Sequence, residues 1–257
     1  MKYIPRDLGD SAENSSGGGG RGLIREIVVL SGLVLSALGI LYFLAAMITD
    51  WAVCRIPPET EASFFNNFGV DEFNDSVPEA LLSKWQQAEA ILSKLQDAPE
   101  VLPLPYQLVY TSDPKPNAFA IPGGRIALTQ GLLESLDEEV SFAFVLAHEL
   151  GHFAGRDHLQ RLGRQVGFGT SLAILMGGSR PQLLDSVADL LVLNYSREEE
   201  SAADRFALEL MDHVYGTRDG ANRFFEILQE NNSLPGWAYM FQTHPDTLKR
   251  IREIRGE

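Results

Sequence analysis

The sequence predicts an α+β fold, mostly helical, with one N-terminal transmembrane helix followed by a helical domain carrying a small β-sheet or hairpin. Three observations lead there. Residues 27–49 run for 23 positions without a charge. Residues 107–129 hold strand-like segments around a Pro-Gly-Gly turn. From Asp137 onward the chain reads as helical, with apolar residues spaced three and four apart. Composition bounds the rest. The 257 residues suit one large domain or two small ones. At 45% hydrophobic and 22% charged, wholesale disorder is excluded. The net charge of −14 argues against nucleic acid as a partner, because phosphate binding needs a basic surface. One cysteine, Cys54, rules out an internal disulfide framework and a Cys-rich zinc finger.

Residues 1–26 are expected to be a flexible cytoplasmic tail, with SAENSSGGGG at 11–20 unable to bury apolar surface. This tail holds four basic and four acidic residues, so the whole −14 lies beyond it. Residues 27–49 form the expected transmembrane helix, since at about 1.5 Å per residue they cross about 30 Å of hydrocarbon. Trp51 follows at headgroup level. The stretch is longer than a signal-peptide core and no A-x-A site follows, which favours an uncleaved anchor. Lys2, Arg6, Arg21 and Arg25 precede the span, and only Arg55 lies in the twenty residues after it. The positive-inside rule then puts the N-terminus in the cytoplasm and the domain outside it.

Residues 50–77 read as a linker with Pro57, Pro58 and an aromatic group, Phe64, Phe65, Phe68 and Phe73, expected to dock on the folded domain. The domain proper is expected at 78–257. A helix over 78–97 shows the stripe Leu81, Leu82, Trp85, Ala88, Ile91, Leu92 and Leu95. Gln107–Thr111 is a strand candidate. Asn117–Ile121 and Arg125–Thr129 flank Pro122-Gly123-Gly124 and read as a hairpin.

The chemistry sits in His148-Glu149-Leu150-Gly151-His152, an H-E-x-x-H on an apolar helix. Residues four apart share a helical face, so both imidazoles can meet one ion, and Glu149 can reach a water on it. A catalytic zinc needs a third protein ligand. His158 completes H-E-x-x-H-x-x-G-x-x-H, the metzincin pattern, if the helix breaks at Gly155. Arg156–Leu162 are helix formers, so the helix is expected to continue, leaving His158 about 120° around from His152. The competing ligand is an acid in Ser196-Arg-Glu-Glu-Glu-Ser-Ala-Ala-Asp204, where Ser196 and Glu199 suit a capping box. Glu200 and Asp204 share the side of the helix that carries Ala203 and Ala207, which suits a ligand and an acceptor for a ligating imidazole. Spacing alone does not separate Glu199 from Glu200.

Four blocks together resemble the HtpX-like and CAAX-prenyl-protease-like zinc metalloendopeptidases. They are Asn117-Ala-Phe-Ala-Ile-Pro-Gly-Gly124, His148–His152 with Arg156-Asp157, Ser196–Asp204, and Thr243-His-Pro-Asp-Thr-Leu-Lys-Arg-Ile251. The resemblance implies a gluzincin-type zinc metallopeptidase domain with one Zn2+, held by His148, His152 and Glu200. It also implies Glu149 as general base, Asp204 beside a ligand imidazole, and His244 as donor to the oxyanion, ahead of Tyr195 and Arg250. It implies a role in protein quality control at the cell (inner) membrane, with the domain periplasmic. HtpX itself has several spans. Here 166–178 is uncharged but only 13 residues long, suiting a core helix, a membrane-dipping segment or a cover over the site.

The expected function is hydrolysis of peptide bonds in unfolded or misassembled proteins. The ion would acidify a water, and Glu149 would take its proton. Extended substrate is expected to add as a strand along Arg125, Ile126 and Ala127, with Asn117 nearby. A non-catalytic zinc-containing, chaperone-like module and a metzincin using His158 are the alternatives.

Overall fold

The computed structural model describes residues 20–65, 75–164, 195–230, His244 and Arg250. The chain divides into two compact units, one ending at Ala45 and one beginning at Ala46. Helix α1 (Gly20–Val53) is 34 residues long, so residues 20–26, expected in the tail, are helical instead. Leu23, Ile24 and their charged neighbours are good helix formers, and the glycine run ends where the helix starts. Most of its large apolar side chains between Leu23 and Trp51 are exposed, and it is long and apolar enough to cross a membrane. The tail up to residue 19 lies outside the described residues, as does 166–178.

Within the stretch read as a linker, Pro58–Phe65 forms a helix, α2. Proline at its start loses no hydrogen bond, and Glu59 and Glu61 sit in its first turn, where the helix dipole favours acids. Phe65 is buried beside Val53 and Leu159, as docking on the domain requires, whereas Phe64 is 75% exposed. Phe68 and Phe73 lie outside the described residues. Helix α3 (Leu82–Gln96), entered through a 3-10 turn at Glu79–Leu81, buries Ala88, Ile91, Leu92 and Leu95 from the expected stripe.

Strands β1 (Gln107–Thr111), β2 (Ala118–Ile121) and β3 (Arg125–Thr129) make one mixed sheet in the order β1-β3-β2. The β2–β3 hairpin pairs Ala118 with Leu128 and Ile121 with Arg125. Gly123 and Gly124 close it at φ +89° and +86°, values that glycine alone adopts without strain. On its other side β3 pairs in parallel with β1, from Gln107↔Arg125 to Thr111↔Thr129. This corrects the expectation that Arg125, Ile126 and Ala127 receive substrate. They lie on the central strand, all buried, and both edges of that strand are taken by neighbours. Among the described residues β2 is an edge strand of this sheet.

Helix α4 (Gln130–Ser135) is capped by Thr129, whose hydroxyl accepts from the Leu132 amide at 3.2 Å. Helix α5 (Glu139–Gly155) carries the H-E-x-x-H and is buried at every position from Ser141 to Phe153. It ends at Gly155. Arg156 adopts φ +59°, and residues 157–164 form a new helix, α6. The expectation of a continuous helix is therefore overturned. Intrinsic propensity, a few tenths of a kcal/mol per residue, yields to tertiary bonds at the break. Arg156 ion-pairs with Glu61 and donates to the Ile56 carbonyl at 3.0 Å.

Helix α7 (Arg197–Tyr215) opens on the expected capping box, with Ser196 and Glu199 reciprocally bonded, and ends at Gly216 in the left-handed region. Helix α8 (Asp219–Glu230) turns Ala221, Phe224 and Phe225 inward. α7 and α8 both pack on α5, so the motif helix is the centre of the core.

Candidate metal centre

Two helices supply the centre, and a glycine sets their spacing. A Cβ at Gly151 would stand 2.8 Å from the Cα of Ala203, so only glycine lets α7 come this close to α5. The approach brings Glu200, in the first turn of α7, opposite His148 and His152. Glu200 Oε2 lies 3.6 Å from His148 Nε2, and its Oε1 lies 3.4 Å from His152 Nε2. The two Nε2 atoms are 3.2 Å apart. His148, His152, Glu200 and His244 are all buried, and each offers one donor atom within 4.8 Å of the others. These four could hold a metal ion.

The far side of each imidazole faces an acid. His152 Nδ1 is 2.8 Å from Asp157 Oδ2, and His148 Nδ1 is 2.9 Å from Asp204 Oδ1. At His152 the Asp157 carboxylate fixes the proton on Nδ1 and turns the Nε2 lone pair toward the ion site, while Asp204 stands within ion-pair distance of His148 Nδ1. Asp157 reaches His152 only because the helix breaks. On a continuous helix, five residues would place it about 140° away. Gly155 gives it room, since a Cβ there would stand 2.7 Å from Asp157 Oδ1. Tyr195 stacks flat on His152 at 3.6 Å between centroids, and the Arg161 guanidinium covers Tyr195's ring at 3.8 Å.

Arg250 binds two acids of α7, Asp204 and Glu200. It donates to Asp204 through Nε at 2.6 Å and Nη2 at 2.7 Å, and its Nη1 lies 2.5 Å from Glu200 Oε2. Burial favours the neutral acid at Glu200 and Asp204, but the neighbouring cations win. Glu200 is held well below the ordinary carboxylate range by His244 and Arg250. Asp204 is lowered to about 2, chiefly by Arg250. Burial also disfavours charge on the imidazoles. It keeps His148 below its usual value, while at His152 Asp157 and Glu200 outweigh it and raise the pKa to about 9. Glu149 is 1% exposed, and among the described residues its Oε2 makes no hydrogen bond.

The other sequence-selected residues fall as follows. His244 places Nδ1 2.8 Å from Glu200 Oε1 and Nε2 3.8 Å from Glu149 Oε1, so it joins the group rather than standing apart. Asn117 is buried, with its backbone tied to Thr129 Oγ1 at 2.8 and 3.0 Å. His158 is outside the group despite the helix break, because its Nε2 contacts Glu61 Oε1 at 2.8 Å. Glu199 contacts Arg164 at 2.9 Å and closes the capping box, again outside the group. Sequence reasoning gave no role to Asp157 and missed Glu61. Asp157 was legible only to a reader who had already placed a helix break, and Glu61 is bound by residues 62 to 97 positions away.

The family model for Peptidase family M48 matches residues 83–257. The chain belongs to Peptidase family M48. The matched M48 region takes in α3 through α8 together with His244 and Arg250, and leaves α1 and α2 outside. The chain is similar to the mitochondrial metalloendopeptidase OMA1 of Schizosaccharomyces pombe, 33% identical over 59% of this chain and 46% of that protein. It is similar to the metalloprotease YcaL of Escherichia coli, 30% identical over 60% of this chain and 61% of that protein. A protease HtpX homolog of Acidiphilium cryptum is 32% identical over 60% of this chain and 68% of its own length. The chain thus spans about half the length of the first two M48 relatives.

Proposed function

We propose that this M48 chain is a membrane-anchored zinc metalloendopeptidase that hydrolyses peptide bonds in unfolded or misassembled proteins. One observation carries the reading. His148, His152 and Glu200 converge with their Nε2 and carboxylate atoms inward, while Asp204 and Asp157 hold the two Nδ1 atoms from behind. Two imidazole nitrogens and one carboxylate oxygen are the donor set of a gluzincin-type zinc site, so the residues present fit the ion. Bound there, zinc supplies a Lewis acid that polarises the peptide carbonyl and acidifies a water.

The chain's own groups do the rest. Glu149 presents its buried Oε2, without a hydrogen-bond partner among the described residues, as general base beside that centre. His244 can donate to the developing oxyanion from Nε2, being held through Nδ1 by Glu200. Arg250 is committed to the two acids, and His244 Nε2 lies 3.8 Å from Glu149 Oε1, which favours His244 as the donor. An extended peptide is best received along β2 rather than β3. β2 is an edge strand, and its Ala118 carbonyl lies 3.4 Å from His244 Nε2. Backbone pairing reads little side-chain identity, so cleavage would follow exposure of extended chain rather than a sharp sequence motif. Helix α1 would anchor the domain in the cell (inner) membrane. The basic residues before it favour a cytoplasmic N-terminus and a periplasmic domain.

The test uses the full chain in detergent, with metal content and casein cleavage measured together. Glu149→Gln should keep the metal and lose about 10²- to 10⁴-fold in kcat. Glu200→Gln should lose metal, and His158→Ala should retain it. Equal activity in wild type and Glu149→Gln would leave a non-catalytic zinc module as the better reading. Metal loss in His158→Ala alone would transfer the third ligand to that residue.

A further inference from the structure

We propose that Glu61, on the segment that joins the apolar helix to the M48 domain, is a positioning residue for the metal centre and acts through Arg156. The inference rests on the metal-centre reading above. It goes beyond the family, because Glu61 precedes the matched residues 83–257.

Glu61 is 1% exposed, and its two oxygens meet three partners from distant parts of the chain. Oε1 accepts from the Gly123 amide at 3.0 Å and contacts His158 Nε2 at 2.8 Å, and Oε2 pairs with Arg156 Nη1. Each partner stands at a joint. Gly123 lies in the turn that closes β2 onto β3. His158 opens α6, and its Nδ1 comes to 3.4 Å from the carbonyl of His152. Arg156 is the residue on which α5 ends, and among the described residues it is the one non-glycine with positive φ.

That φ has a cost for any residue with a Cβ, and glycine would carry it without strain. Arginine is kept there by what its side chain reaches. Glu61 takes one arm of the guanidinium and the Ile56 carbonyl takes the other. Both partners belong to the segment between α1 and the matched domain. The break they hold is what swings Asp157 back under His152. Without it the chain would continue as helix, as local propensity favours, and Asp157 would leave the imidazole. Glu61 therefore fixes a ligand's orientation without touching the ion site.

The experiment keeps the full chain in detergent and compares Glu61→Ala, Glu61→Gln, Arg156→Gly and the double variant Glu61→Ala/Arg156→Gly. Zinc affinity is read by chelator competition, cleavage by kcat and KM on casein, and folding by thermal unfolding of the metal-free protein. Glu61→Ala should weaken zinc binding about 10- to 100-fold, the range for losing support behind a ligating imidazole. It should lower kcat more than it raises KM. Adding Arg156→Gly should restore most of the affinity, because glycine takes the left-handed cap without a partner. Glu61→Gln should fall between wild type and Glu61→Ala. Wild-type affinity in folded Glu61→Ala overturns the proposal. So does a folded Glu61→Ala whose loss Arg156→Gly fails to repair. If Glu61→Ala does not fold, the double variant decides: wild-type-like affinity supports the proposal, and its absence overturns it. A wild type that binds zinc without cleaving casein defeats the endopeptidase reading, while the affinity comparison still judges Glu61.

Discussion

At the scale of single residues, His152 carries the clearest solution signature. Burial opposes its charge, but Asp157 and Glu200 raise its pKa from the ordinary 6.5 to about 9 in the metal-free protein. A raised histidine adds stability that is fully present below pH 6.5 and is lost as pH rises through 9. The shift corresponds to about 3 kcal/mol. Asp204, lowered to about 2 by Arg250, adds stability present above pH 3.8 and lost as pH falls through 2. His148, lowered by burial, also costs stability as pH falls below 6.5, since the unfolded chain then takes up a proton that the folded one refuses. Metal-free protein should therefore be most stable near pH 6.5 and weaken in both directions, measured by thermal unfolding in chelator. Asp157→Asn should flatten the alkaline limb; an unchanged limb would remove Asp157 as the cause. What the sequence showed at this scale was whatever local geometry decides. His148, Glu149 and His152 lie within one helical turn, so their convergence follows from spacing. Asp157, Glu61 and the Arg250 clamp depend on where distant segments meet, and no local pattern announces them.

At the scale of elements, strand and helix positions were largely legible. β1 and β3 lie at their expected residues, and the Pro-Gly-Gly turn lies where expected. Alternation and turn chemistry are local, so they survive in the sequence. Strand order is not local, and the insertion of β3 between β1 and β2 removed it as a landing place for substrate. The α5–α6 break was missed for a related reason: the partners of Arg156, Glu61 and Ile56, lie 95 and 100 residues away in the chain. The α5–α7 contact is the element-scale feature most open to test. In Gly151→Ala the new methyl would press on Ala203 Cα and the Ala203 carbonyl, at 2.8 and 2.9 Å. Overpacking of this kind costs about 1–3 kcal/mol. Since α7 carries Glu200, the variant should lose zinc affinity along with melting temperature. Full affinity in a folded Gly151→Ala would mean that helix spacing does not set the ligand geometry.

At the scale of the whole molecule, the matched M48 region starts at residue 83, and the sequence suggests a domain boundary near 78. The bonds cross that boundary. Glu61, Phe65, Ile56 and Asp50 all contact residues beyond position 120. A fragment of residues 46–257 should fold and bind zinc, whereas one of residues 78–257 should melt markedly lower or fail to fold, as circular dichroism would report. Equal melting temperatures would return residues 46–77 to the status of a tether. α2 is short and carries a weak apolar pattern, so no amphipathic stripe in the sequence ties it to the domain. It meets the domain through the buried Glu61 carboxylate and the buried Phe65 ring.

The left-handed arginine at 156 also bears on how such sequences can diverge. An acid at 61 supports an arginine at 156, and losing the acid alone strands the buried guanidinium, whereas Glu61 keeps the Gly123 amide and His158 if the arginine goes. A lineage can leave this state by passing through glycine at 156, which needs no support, and only then is position 61 released. Across relatives that share this segment, glycine at 156 should therefore accompany any residue at 61, while arginine at 156 should accompany an acid. The two positions, 95 apart in the chain, would then drift as one character.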